Sequence, residues 1–183
     1  MKKEFIKLSA VLCIITLVAA FILAGVNKVT APAIAKAEKE AAENAMKTLL
    51  PEADTFEAVA TDENLKVAKK EGVVVGFCAQ VTTSGYGGDI VMMVGIDSNM
   101  YVQGIEILSQ SETAGLGAKI VDNDFKKQFK NKSLTDLKVV KKDTDSPNEF
   151  KAVTGATISS RAVESGIAKA KDMVEKELKE GTK

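Results

Sequence analysis

The chain has 183 residues, and its 25 lysines and arginines balance its 25 aspartates and glutamates. No net field therefore draws nucleic acid or anionic lipid across the whole surface. It contains no histidine, which removes imidazole as base, metal ligand or haem ligand. Its two cysteines, Cys13 and Cys78, are too few and too far apart for a zinc knuckle or an iron–sulfur cluster. Redox chemistry in such a chain falls to an organic cofactor.

From residue 8 to residue 27 there is no charge, and leucine, isoleucine, valine and phenylalanine dominate. A bilayer core needs about 20 such helical residues, so this run is read as a single transmembrane helix. A cleaved secretory signal is the rival: Lys2, Lys3 and Lys7 suit its basic end, and Ala31, Ala33 and Ala35 suit cleavage. The run is long for a signal core of about 7–15 residues, which favours an uncleaved anchor. Lys2, Lys3 and Lys7 crowd one flank, whereas Lys28, Lys36 and Lys39 are spread over the other. This bias predicts the N-terminus inside and the remainder outside the cytoplasmic membrane. A disulfide between Cys13, in the membrane, and Cys78, in the soluble part, is not expected.

The predicted organisation is a cytoplasmic end at 1–7, a span at 8–27, a stalk or packing helix at 28–51 and an extracytoplasmic domain at 52–183. Thr30-Ala31-Pro32 reads as a fresh helix start, with proline near the first position. Ile34, Ala37, Ala41, Ala45 and Leu49 follow at helical spacing until Pro51. Apolar, β-branched runs at 73–75, 77–81, 90–96 and 102–108 then read as strands. Asp97-Ser98-Asn99 closes a hairpin, with Gly95 and Gly104 as bulge candidates. A short helix is expected at 122–129, a strand at 137–140, and a long amphipathic helix at 159–179. Val163, Ile167, Ala170, Val174 and Leu178 line its apolar face, and Lys171–Glu175 and Glu175–Lys179 pair on the other. Helix, meander and helix make an α+β fold with a central antiparallel sheet and flanking helices. The lysine clusters at 126–127, 130–132 and 141–142 are interrupted by acids and polar groups, so they read as solvated faces rather than a nucleic-acid footprint.

Three loops interrupt this pattern. Thr154-Gly155-Ala156-Thr157 stands before the last helix, where unpaired amides and a partial positive charge favour a phosphate. Plain N-capping by Ser159 or Ser160 accounts for the same residues. Ser84-Gly85-Tyr86-Gly87-Gly88 lies between two strands, and its glycines would admit a flat ring against the backbone, with Tyr86 stacking on it or donating to it. A glycine-rich hairpin turn explains it equally. Glu112-Thr113-Ala114-Gly115-Leu116-Gly117 follows a strand and precedes Lys119, a counter-charge for an anionic ligand, and it also serves as a simple turn.

The three loops, in this order, resemble the FMN-binding domain family. With its short length and one anchor, the whole chain resembles the G-subunit family of Rnf ion-translocating ferredoxin:NAD oxidoreductases. The related C-subunit family of sodium-pumping NADH:quinone oxidoreductases is the alternative, as is another extracytoplasmic flavoprotein relay. A non-redox anchored binding module is the third reading. The resemblance implies one FMN, linked through its phosphate to Thr157 by a dedicated flavin transferase. Thr154, Gly155, Ala156, Ser84, Gly85, Tyr86, Gly87, Gly88, Glu112, Thr113, Gly115, Leu116, Gly117 and Lys119 would surround it. It implies an electron-relay role within a membrane complex with iron–sulfur and flavin subunits, and no separate catalytic residue or metal. The chain departs from the family pattern at Gln110 and Ala114, where histidine and proline are common, and at Lys151, where aspartate is common.

Overall fold

A computed structural model describes residues 2–60 and 62–180. Helix α1 runs without interruption over Lys2–Leu49. The new helix start expected at residues 30–32 does not occur; Pro32 lies inside α1. An interior proline removes one backbone hydrogen bond and costs about 3 kcal/mol, which a helix with long flanks on both sides absorbs. Among the described residues α1 is the one helix long and apolar enough to cross a membrane.

The chain divides into two compact units, residues 1–40 and residues 41–183. The first is the greater part of α1, whose described apolar side chains, Leu12, Ile15 and Phe21 among them, are exposed. Such a face is stable in lipid and not in water.

The second unit is built on a six-stranded antiparallel meander in the order β1 to β6. Its strands are β1 (Thr55–Ala58), β2 (Leu65–Lys70), β3 (Val73–Ser84), β4 (Asp89–Asp97), β5 (Tyr101–Ser109) and β6 (Lys132–Ser133). The runs at 73–75 and 77–81 are one strand, β3, which passes through Gly76. The β3–β4 ladder is unbroken from Gly76↔Asp97 to Ser84↔Asp89, so side chains alternate strictly between two faces. Phe77, Ala79 and Val81 with Ile90, Met92, Val94 and Ile96 join the larger core, while Cys78 and Met93 point the other way.

Helix α3 (Thr157–Glu180) covers the first face with Val163, Ile167, Ala170 and Val174. Leu178, assigned to that stripe from its spacing, remains about half exposed. Lys171 pairs with Glu175 at 3.6 Å. On the opposite face the last turns of α1 bury Ala45, Met46 and Leu49, followed by Leu50. They approach closely because the strands lack side chains there. A methyl built on Gly95 would lie 2.7 Å from Leu49 Cβ, and one on Gly104 would lie 3.0 Å from Leu49 Cδ2. Gly95 and Gly104 are themselves paired partners, and the β4–β5 register shifts immediately beyond them, at Ile96↔Val102. Burial raises the Cys78 thiol to about 12 on this side of the sheet.

Between β5 and the end of the chain, a 3-10 helix at Gly117–Val121 leads into α2 (Asn123–Lys126) and a further 3-10 turn at Lys127–Phe129. These replace the single helix expected over 122–129. Phe125, Phe129 and Phe150 meet with ring centroids 4.7–6.0 Å apart. This cluster fixes a two-stranded parallel ladder of β7 (Lys138–Val140) and β8 (Glu149–Lys151). β8 delivers the chain to Thr154.

Candidate functional site

All three loops meet at one end of the sheet. They enclose a cavity of about 460 Å³ lined by Tyr86, Glu112, Thr113, Leu116, Gly117 and the run from Gly155 to Ser159. That volume falls among small-molecule sites, which span about 300–1,000 Å³. The sequence separations that the cavity closes, 26 residues from Tyr86 to Glu112 and 47 from Glu112 to Ser159, are long-range.

The threonine loop is set by its surroundings on both sides. Upstream, the Gln128 side chain accepts from the Lys151 amide at 2.8 Å and so fixes the end of β8. Downstream, Ser160 Oγ accepts from the Val153 amide at 3.0 Å and donates to the Ala156 carbonyl at 3.0 Å. Gly155 has φ +80, a left-handed conformation that a side chain would strain, and it turns the chain into α3. Thr157 opens that helix, half-buried in the cavity wall, while Thr154 is exposed.

Capping by Ser159 or Ser160 does not satisfy this helix end. Ser160 serves the loop that precedes it, and Ser159 Oγ donates to Glu112 Oε2 at 2.6 Å. Among the described residues no hydrogen bond takes up the amides of Thr157, Ile158 and Ser159. The cavity wall thus carries unpaired N–H groups and the positive end of a 24-residue helix beside the Thr157 hydroxyl.

The residues 84–88 form the β3–β4 hairpin turn, closed by a hydrogen bond from the Gly85 amide to the Gly88 carbonyl at 2.8 Å. Ser84 turns aside to donate to Asp89. The amides of Tyr86 and Gly87 do not face an open cleft; both donate to Glu112 Oε1, at 2.7 and 3.1 Å. Tyr86 stands at the cavity mouth, 71% exposed, with Leu116 and Ile158 as further exposed apolar residues on the rim.

Glu112 is 8% exposed, and donors engage both of its oxygens. Burial alone would raise its pKa; the Ser159 hydroxyl and the amides of Gly87 and Tyr86 outweigh that and hold the carboxyl below its ordinary range. No lysine or arginine pairs with it among the described residues. A methyl on Gly85 would collide with Glu112 Oε1, and one on Gly117 would meet Glu112 Oε2 and lie 2.7 Å from Ser159 Oγ. These glycines make room for a carboxylate belonging to the protein.

Lys119 lies outside this cavity. It lines a neighbouring hollow of about 610 Å³ with Asp122, Asp124, Asp143, Asp145 and Lys151. Lys151, in the position where the family pattern favours aspartate, pairs with Asp143 at 2.8 Å. Gln128 is a site-building residue that motif reading does not single out, and Ser159 and Ser160, expected only as helix caps, take other roles, because these roles arise from contacts between distant segments.

Comparison with known proteins places the chain in a family. Residues 85–172 match the FMN-binding domain, and residues 1–49 match the RnfG N-terminal region. The G subunit of the Na(+)-translocating ferredoxin:NAD(+) oxidoreductase complex of Acetobacterium woodii is 37% identical over 187 residues, covering 90% of this chain and 89% of the relative. The G subunit of the proton-translocating complex of Clostridium ljungdahlii is 32% identical over 163 residues, covering 89% and 88%. The crystal structure of Shewanella oneidensis NqrC superposes with a TM-score of 0.51 at 17% identity, over 64% of each chain, and shares the fold. Similarity of this extent, through anchor and domain alike, makes the chain a member of the G-subunit family of ion-translocating ferredoxin:NAD(+) oxidoreductase complexes.

Proposed function

We propose that this chain is the electron-relay component of a membrane-bound ferredoxin:NAD oxidoreductase complex and carries one FMN esterified to Thr157. The observation that carries the reading is the position of Thr157. This residue lines a ligand-sized cavity, at a helix end whose first amides are unpaired. These features fit a phosphate: N–H donors and a positive helix end are present, and no carboxylate other than the fully engaged Glu112 lines the cavity.

In attachment, Thr157 Oγ1 would give up its proton and bond to the flavin-side phosphorus of FAD. The bond from that phosphorus to the bridging oxygen breaks, and AMP leaves. A flavin transferase would catalyse this exchange, so maturation depends on a second protein. Bound FMN supplies the electron-accepting chemistry that the side chains lack. Gly155 and Ala156 would let the backbone approach the phosphate. The Tyr86, Leu116 and Ile158 rim would cover apolar ring surface and exclude water. Thr113 and Gly117 complete the wall. The hairpin amides of Tyr86 and Gly87 are committed to Glu112, so that turn would contribute its ring-facing side chain rather than its N–H groups.

Helix α1, long and apolar enough to cross a bilayer, suits a single-pass membrane protein. Lys3 and Lys7 at its start favour the N-terminus inside, which puts the flavin domain on the extracytoplasmic side. There a covalent link prevents loss of a scarce cofactor. Iron–sulfur and flavin subunits of the same complex would be the electron partners. The likeness to NqrC is one of fold. Similarity along nearly the full length to the G subunits favours the ferredoxin:NAD complex over the quinone-reducing one.

Intact mass and in-gel fluorescence of the denatured protein, produced with an active flavin transferase, test the assignment. The wild type should gain the mass of one FMN less a water and fluoresce, and Thr157→Ala should do neither. An unmodified wild type, or a variant that keeps covalent flavin, refutes it.

A further inference from the structure

We propose that Glu112 is a positioning residue, a buried carboxylate clasp that holds the β3–β4 hairpin turn to the first turn of α3 and so fixes the cavity wall around Thr157. The inference rests on the flavin reading above for its functional consequence but on protein contacts alone for its geometry. One oxygen takes the amides of Tyr86 and Gly87, and the other takes the Ser159 hydroxyl. Two segments far apart in sequence thereby converge on one side chain from a third.

The surroundings are shaped for that carboxylate. Gly85 and Gly117 flank it where any Cβ would displace it, and the Gln110 side chain accepts from the Glu112 amide at 2.5 Å. All of its partners are donors, as an acceptor-only ionised carboxylate requires. Buried charges without a counter-ion are rare unless hydrogen bonds saturate them. A glutamate spent in this way is poorly placed to act as a ligand for an anionic cofactor. Its value lies in holding Ser159, two residues beyond Thr157 on the same helical turn. Without it, the hairpin amides and the serine would have to find water or one another, and the distance between the hairpin and the helix start would no longer be set.

The test compares Glu112→Ala, Glu112→Gln and Ser159→Ala in the full chain, produced with a flavin transferase. Two quantities are read: covalent flavin per chain, and amide exchange at Tyr86 and Gly87 in flavin-free Thr157→Ala backgrounds. Glu112→Ala should lower flavin occupancy at least about fivefold, the factor that follows from losing roughly one buried hydrogen bond, and should deprotect both amides. Glu112→Gln should stay close to wild type in both. Its oxygen still accepts from the two amides, and its NH2 group donates to Ser159 Oγ. The proposal falls if Glu112→Ala keeps normal occupancy and protection, or if glutamine rescues no better than alanine. Should Glu112→Ala fail to fold, the order of the other two decides: Ser159→Ala must lose more occupancy than Glu112→Gln, and the reverse order overturns the clasp. A wild type without flavin would sink the flavin reading instead, while the exchange data would still judge the clasp.

Discussion

Gly117→Ala adds a single methyl where the clasp meets the first turn of α3. The new Cβ would fall against Glu112 Oε2, 2.9 Å from Glu112 Cβ and 2.7 Å from Ser159 Oγ. Neither neighbour can yield freely, since Glu112 is fixed by the hairpin amides and Ser159 is 1% exposed. The substitution therefore breaks the Ser159–Glu112 hydrogen bond, and a bond to a charged group contributes about 1.5–3 kcal/mol. Replacing glycine by alanine also restricts the unfolded chain, which returns about 0.4–1 kcal/mol. The balance is a net destabilisation of about 0.5–2.5 kcal/mol, or a few degrees in Tm for a domain of this size. Thermal unfolding of the detergent-solubilised chain, followed by circular dichroism, would measure it. The decisive comparison is the same substitution in a Ser159→Ala background, where the bond is already absent. The two changes should then be non-additive by about 1 kcal/mol or more. A stabilising Gly117→Ala, or an equal cost in both backgrounds, would show that the glycine is not there to make room for the clasp.

Leu49→Ala removes the side chain that fills the slot over Gly95 and Gly104. Chemical denaturation should show a loss of about 2–5 kcal/mol for this buried leucine, and a cost below about 1 kcal/mol would mean that the helix end is not seated on the sheet. The lowered pKa of Glu112 makes its contribution pH-dependent. Because the folded value lies below the ordinary 4.5, the stabilisation is complete above 4.5 and disappears as pH falls through the folded value. The Tm difference between wild type and Glu112→Ala should thus stay constant from neutral pH down to the ordinary value and shrink below it. A difference that shrinks instead near neutrality would contradict an ionised clasp.

The meander and the last helix are legible in the chain because their patterns are periodic. Ile90, Met92, Val94 and Ile96 alternate as a half-buried strand must, and Val163, Ile167, Ala170 and Val174 recur at helical spacing. Strands β1 and β2 are not legible in the same way. In Leu65–Lys70 three of six residues are lysines, and the strand is made by pairing with β3 rather than by its own composition. Pro32 suggests a helix start by local rule, yet it lies within α1, whose flanking turns outweigh one missing hydrogen bond. The three loops are visible as motifs, and the fold brings residues of all three to one cavity. The distribution of tasks among them is not visible. Glu112 and the glycines read as cofactor contacts in the sequence, but Glu112, Gly85 and Gly117 are engaged with one another. Lys119 reads as a counter-charge but lines the adjacent hollow. Spacing along a chain carries no information on which of several facing loops supplies the donor and which the acceptor.

The cavity also has a consequence for charge coupling. Its one acid, Glu112, is held ionised, and the other lining residues carry hydroxyl, aliphatic or no side chains. The chain has no histidine, and the Cys78 thiol, held protonated, faces the opposite side of the sheet. Neither an imidazole nor a thiol therefore stands in the wall to trade a proton against an arriving electron. Any proton that accompanies reduction enters from solvent at the mouth beside Tyr86 or from a neighbouring protein of the complex. The residues that line the cavity are thus suited to holding a ligand rather than to supplying protons to it.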